Sequence, residues 1–126
     1  MIIETDAAGN FVGSSYGYAT ARDWARFGLL YYKDGVWKGD TILPRGWVGY
    51  TTTQAVASKG EYGAQFWLNK SKKLPDAPQD LYSCNGHRGQ RVFIIPSRKL
   101  VVVRLGFSED GFDQNEFIKG ILAAIK

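Results

Sequence analysis

Arg91-Val92-Phe93-Ile94-Ile95-Pro96-Ser97-Arg98-Lys99-Leu100-Val101-Val102-Val103-Arg104-Leu105 is the stretch on which the fold turns. Two runs of β-branched and apolar residues flank Pro96-Ser97-Arg98-Lys99, a segment suited to a tight connection, so the stretch predicts an antiparallel hairpin of residues 91–95 and 100–105. Val101-Val102-Val103 is continuous β-branched residue, as expected of a strand covered on both faces.

Working outward, residues 82–86 and 62–68 supply two more extended runs, separated by a charged, Pro-containing loop over 70–80. On the other side, Asp113 with Glu116 three residues on reads as the cap of a last helix that buries Phe117, Ile118, Ile121, Leu122 and Ile125. Gly120 inside it costs about 1 kcal/mol relative to Ala. The first half differs in character. Residues 4–18 show no sustained period and read as a turn-rich loop. Thr20-Ala21-Arg22-Asp23 then has a capping-box layout, and Trp24, Phe27, Leu30 and Tyr31 recur at three- and four-residue spacing, giving one buried helix face that ends near Lys33-Asp34-Gly35. Residues 36–43 read as an extended excursion around Gly39-Asp40, and Pro44 suits the first turn of a shorter helix running to about Thr52. Helices, then an antiparallel sheet, then a helix able to lie across it predict an α+β layered arrangement. The lead-in loop and helices occupy 1–60, and the sheet and last helix occupy 61–126.

The 126 residues, 44% of them hydrophobic, are enough for one core, whether a compact domain or one piece of a larger one. The net charge of +4 is spread along the chain. Without a run of basic residues or an RRM-type signature around Arg88 to Phe93, no nucleic-acid partner is expected. Cys84 is the single cysteine and His87 the single histidine, so neither an internal disulfide nor a four-ligand structural zinc site can form, and no metal or cofactor is expected. No run approaches the roughly 18 apolar residues that span a bilayer, and the first residues turn acidic too soon for a signal peptide. No membrane partner is expected, and the localisation stays open. Trp24, Trp37, Trp47 and Trp67 are scattered over separate elements, which suits packing better than a stacking platform.

The chemistry is concentrated in Gly86-His87-Arg88-Gly89-Gln90, at the junction of two predicted strands. This segment, with Val92 to Pro96 and Leu100 to Gly106 behind it, resembles the third active-site box of the class C β-lactamase, esterase and aminohexanoate-oligomer hydrolase superfamily. In that superfamily a Lys-Thr-Gly or His-x-Gly triplet lies on the strand edging the catalytic cleft, and His87-Arg88-Gly89 matches the second form. Gly13 to Tyr16, Thr20 to Leu30 and Asp34 to Pro44 are similar to the helix and hairpin downstream of the catalytic tyrosine in the same enzymes. Together, in the expected order, the two matches cover most of the chain. The resemblance implies a partial β-lactamase/transpeptidase-like fold. It also implies roles for three residues: His87 contacting substrate or the serine–tyrosine network, Gly89 allowing close backbone approach, and an N–H near Gln90 stabilising an oxyanion. A partly buried imidazole at His87 could change charge near neutral pH. Ser14, Ser15 and Tyr16 are placed as substrate-binding residues across the cleft, against the plainer reading of a solvated Gly/Ser loop.

The sequence also departs from this pattern. The family's Ser-x-x-Lys motif and Tyr-x-Asn or Tyr-x-Ser motif are both absent, since no serine here has Lys three positions on. In the family both lie upstream, so the reading is a truncated C-terminal fragment, inactive alone, whose substrate in the full-length context is a small amide, ester or β-lactam. Gly13-Ser14-Ser15-Tyr16-Gly17 matches a nucleophile elbow, with Asp76 or Asp80 and His87 following in order. That reading fails on context, because an elbow follows a buried parallel strand and only twelve turn-like residues precede Gly13. The competing expectation is a non-catalytic binding or scaffolding half-domain that associates with an N-terminal half or with itself through an exposed sheet edge.

Overall fold

A computed structural model describes every residue except Ser14, Asp110 and Lys126. The lead-in is more ordered than its sequence suggested: Ile2–Ile3 (β1) pairs antiparallel with Gly17–Tyr18 (β2), and an isolated bridge joins Thr5 to Phe11. The Asp6 carboxylate makes this possible. Its Oδ1 accepts the N–H groups of Ala8 and Asn10, both at 2.9 Å, beside backbone bonds from the Asp6 N–H to the Asn10 carbonyl at 2.9 Å and from the Gly9 N–H to the Asp6 carbonyl at 3.0 Å.

Helix α1 (Ala21–Tyr32) is capped by Thr20, whose Oγ1 accepts the Asp23 N–H at 3.2 Å and donates to Asp23 Oδ2 at 2.8 Å. It ends where Gly35, at φ +81°, folds its N–H back to the Leu30 carbonyl at 2.9 Å. Val36–Trp37 (β3) and Asp40–Thr41 (β4) form the expected small hairpin, with Lys38 and Gly39 both at positive φ as a two-residue primed turn requires. Helix α2 (Trp47–Thr51) is shorter than predicted. Pro44 lies outside it, because Gly46 at φ +83° breaks the backbone just before the first turn.

The strand expected over 62–68 shrinks to Trp67–Leu68 (β5). Gln65 sits at φ +71° and the Gly63 N–H bonds the Phe66 carbonyl at 2.9 Å, so the residues between form a tight turn with one bridge from Tyr62 to Trp67. Tyr82–Asn85 (β6), Arg91–Ile95 (β7) and Leu100–Arg104 (β8) follow as read, giving an antiparallel sheet in the order β5-β6-β7-β8. Helix α3 (Gln114–Ala124) starts at the predicted cap, with Asp113 Oδ1 accepting the Glu116 N–H at 2.9 Å.

Strand alternation sorts the core into two layers. Phe93 and Ile95 face Leu81 and Ile118 of α3, whereas Ile94 and Tyr82 face Phe66 and Leu68, with Phe27 and Tyr31 of α1 packed on them. The fold is therefore α+β, with helices on both faces of an antiparallel sheet and the C-terminal helix on one of them. Phe93, Ile94 and Ile95 are fully buried, and each contributes roughly 1.5–3 kcal/mol of transfer free energy. Helix α1 comes closest to the sheet at Gly28, where a Cβ would lie 2.6 Å from Val101 Cγ1 and 3.2 Å from Val92 Cγ1. Two expectations are corrected. β8 has a layer on each face, yet all five residues are only half-buried because β8 is an edge strand, whereas β6 and β7 are the inner strands. Ile125 is exposed beyond the last turn of α3 and does not join the core.

Candidate functional site

The link between β6 and β7 is a 3-10 turn at His87–Gly89, and its backbone is unusual. Arg88 takes φ 52° and Gly89 φ +88°, while Gly86 and Gln90 close the base through a 2.8 Å N–H to carbonyl bond. Glycine is required at 89 twice over: for its positive φ, and because a Cβ would stand 2.7 Å from Arg104 Nη1 and 3.0 Å from Phe112 Cβ. Gly89 is buried, whereas His87 and Gln90 are exposed. The imidazole is thus more accessible than the partly buried group expected from sequence.

His87 Nε2 accepts a hydrogen bond from Arg88 Nε at 3.2 Å. With Nε2 acting as acceptor, the neutral ring carries its proton on Nδ1, where it can be donated outward. The Gln90 N–H reaches the His87 carbonyl at a long 3.4 Å, a bond easily given up to a better acceptor.

Beneath the turn lie residues that the sequence did not single out. Register pairs Arg91 directly with Arg104 across β7 and β8. Arg91 Nη1 donates to the carbonyls of Gly86 at 3.0 Å and Gln90 at 2.7 Å; Arg104 Nη1 donates to the Gly89 carbonyl at 2.7 Å and its Nη2 to Ser108 Oγ at 2.8 Å. The Ser108 N–H takes the Arg88 carbonyl at 3.1 Å. The Phe112 ring stacks under both cations, with centroid distances of 3.9 Å to Arg104 and 5.8 Å to Arg91, and Phe107 lies 4.5 Å from Arg88. Burial, and then the Arg104 charge, lower the Arg91 pKa from its ordinary value.

The candidates on the lead-in stand apart. Ser14 lies outside the described residues. Ser15 and Tyr16 are exposed at the end of the β1–β2 hairpin, a two-stranded sheet separate from the one bearing His87, and the Tyr16 carbonyl accepts the Glu4 N–H at 3.1 Å. The elbow fares no better: every strand pairing among the described residues is antiparallel. Asp80 is committed to Ser97, bonding its N–H at 2.6 Å and its hydroxyl at 2.8 Å, and Asp76 binds Asn115 Nδ2 at 2.7 Å. Cys84 offers no substitute nucleophile, because burial pushes its thiol up to about 11 and leaves little thiolate at neutral pH. Among the described residues, no group of three or more His, Cys, Asp or Glu side chains could hold a metal.

With this geometry in view, the chain is similar to the solved structure of "Putative 6-aminohexanoate-dimer hydrolase from Bacillus anthracis", at a TM-score of 0.67 and 28% identity. The likeness supports a β-lactamase-like kinship. It covers 98% of this chain and 31% of that one, so the chain spans about a third of the length of its neighbour. No protein-family model and no curated protein matches the chain.

Proposed function

We propose that this chain is the C-terminal part of a β-lactamase-like serine hydrolase that cleaves amide, ester or β-lactam bonds through an acyl-enzyme, and that it supplies the His87-Arg88-Gly89 wall of the cleft. One coincidence carries this reading: the His-x-Gly triplet sits at a strand junction in a chain whose fold follows a hydrolase over 98% of its length. In this role His87 Nδ1–H contacts a substrate carboxylate or the serine–tyrosine network. The turn at Gly89 brings backbone up to the substrate, and the weakly held Gln90 N–H turns to the developing oxyanion. Ser15 and Tyr16, with Ser14, meet substrate from the far side once the rest of the cleft is present. The acylating serine, its lysine and the tyrosine come from elsewhere, so the 126 residues alone do not turn over substrate.

The test is hydrolysis of a chromogenic short-chain ester and a chromogenic β-lactam by the purified chain, beside His87→Ala and Ser15→Ala, and by a chimera in which this chain replaces the matching third of the Bacillus neighbour. The expected result is no turnover by the chain, turnover by the chimera, and a drop of about 10²-fold or more when His87→Ala is added to the chimera. Turnover by the chain that Ser15→Ala abolishes would overturn the reading in favour of the elbow.

A second reading, a non-catalytic half-domain that associates with a partner or with itself, has its own support. The accessible surface is 8352 Å², against about 6,700 Å² for a compact monomer of this mass. The excess has the size of one side of a permanent interface. Apolar side chains on the lead-in hairpin account for part of it, with Ile2 68% and Phe11 74% exposed. A folded chimera without turnover, together with a dimer of the isolated chain, would favour this second reading.

A further inference from the structure

We propose that Arg91 and Arg104 are positioning residues for the His87 turn: from the strands beneath, they hold the turn by its carbonyls and so fix the direction in which its imidazole and N–H groups are presented. The inference rests on the reading that this turn is the working wall of the cleft.

Cross-strand register places two guanidiniums opposite each other, an arrangement that like-charge repulsion disfavours. Among the described residues neither is ion-paired with a carboxylate. Their hydrogen bonds go to backbone carbonyls and, from Arg104 Nη2, to the Ser108 hydroxyl, while Arg91 Nε is buried without a hydrogen-bond partner among the described residues. Gly86 and Gln90 carbonyls accept from Arg91, the Gly89 carbonyl from Arg104, the Arg88 carbonyl from the Ser108 N–H and the His87 carbonyl from the Gln90 N–H. Every carbonyl from Gly86 to Gln90 is therefore engaged. Charge-assisted bonds are the stronger kind, and three of the six acceptor contacts here are of that kind.

The seat for Arg104 is shaped to fit. A Cβ at Gly89 would lie 2.7 Å from its Nη1, one at Gly106 would lie 3.0 Å from its Cζ, and Phe112 supports its flat face at 3.9 Å. The two glycines leave room for the guanidinium and the ring supports one of its faces, which favours its place under the turn. A lysine there would keep the charge, but it lacks the fork that reaches Gly89 and Ser108 together.

The experiment is NMR of the purified chain, whose single histidine makes the imidazole resonances unambiguous, comparing Arg104→Met, Arg104→Lys and Phe112→Leu with the parent. Arg104→Met is expected to shift the His87 imidazole signals and the amides of residues 86–90. Hydrogen exchange at Gly86 and Gln90 should speed up about tenfold, while the amides of residues 92–95 stay in place. Arg104→Lys is expected to restore part of this. Phe112→Leu, which keeps the core filled, is expected to loosen the same residues if Arg104→Met does not fold. Unchanged imidazole and turn signals in the folded variants, or changes spread evenly through β7 and β8, would overturn the proposal. None of these readouts depends on hydrolysis, so the positioning role and the hydrolase reading can fail separately.

Discussion

At the scale of single residues, burial shapes two titratable side chains of β6. Cys84 sits on β6 among the aromatic side chains of the α1 layer, and burial raises its thiol from an ordinary 9.0 to about 11; burial raises the neighbouring Tyr82 phenol as well. Both groups are held neutral by the fold. A folded-state pKa above the unfolded one means that the stabilisation is complete below the unfolded value and is lost as pH rises toward the folded one. Unfolding free energy should therefore fall between pH 9 and 11, with Cys84 accounting for about 2 kcal/mol of the loss. Urea titrations at pH 8 and pH 11 check this: Cys84→Ala should lose distinctly less stability over that interval than the parent, the remaining loss including those of Tyr82 and of Lys119, whose pKa the Glu116 carboxylate raises. An equal loss in both would mean that the thiol is not protected by the fold.

At the scale of elements, one side chain organises a connection that has no regular structure of its own. Buried Asn69, just past β5, donates from Nδ2 to the carbonyls of Leu74 at 3.0 Å, Ala77 at 3.3 Å and Pro78 at 3.1 Å, and its Oδ1 accepts the Leu74 N–H at 2.8 Å. The loop then delivers Ala77 and Leu81 to the α3 side of the sheet. Asn69→Ala removes the acceptor of the Leu74 N–H and one of two donors to each of the three carbonyls, which keep the Ala77 N–H, the Lys72 Nζ and the Leu81 N–H, and is expected to cost about 2 kcal/mol. Equilibrium urea unfolding measures it, and a cost under about 1 kcal/mol would show that water replaces the amide. Asn69 was not legible in the sequence, because its partners lie five to nine residues away along an aperiodic path. The β7–β8 hairpin and α3 were legible: Pro96 to Lys99 and the Asp113 cap act locally, within reach of pattern. The strand at 62–68 was overread, since its aromatic content hid a residue at positive φ, and the β1–β2 hairpin was missed because its pairing depends on an Asp6 turn, not on alternation. The candidate site divided the same way. His87 and Gly89 stand out as a triplet, but Arg91, Arg104 and Phe112 acquire their meaning only from strand register and from the returning 105–112 segment.

At the scale of the whole molecule, the sheet is layered on both faces, and among the described residues β8 is the longer of its two edge strands. β8 presents five residues with three consecutive valines, and neither proline nor a bulge interrupts it. Its Arg104 points into the seat under the His87 turn, so the charge that could guard the edge is turned inward. What opposes association at long range is the net charge of +4, and salt screens it. An open strand edge is a growth front: each copy that adds regenerates the surface it consumed, so assembly there follows nucleation kinetics, with no fixed end size. Thioflavin fluorescence at neutral pH should show a lag that shortens with added salt and vanishes on seeding with preformed material. Val103→Lys, which places a charge on β8 itself, should lengthen that lag in a variant that circular dichroism shows to be folded, whereas equal lags for both proteins would move the growth front to the lead-in hairpin.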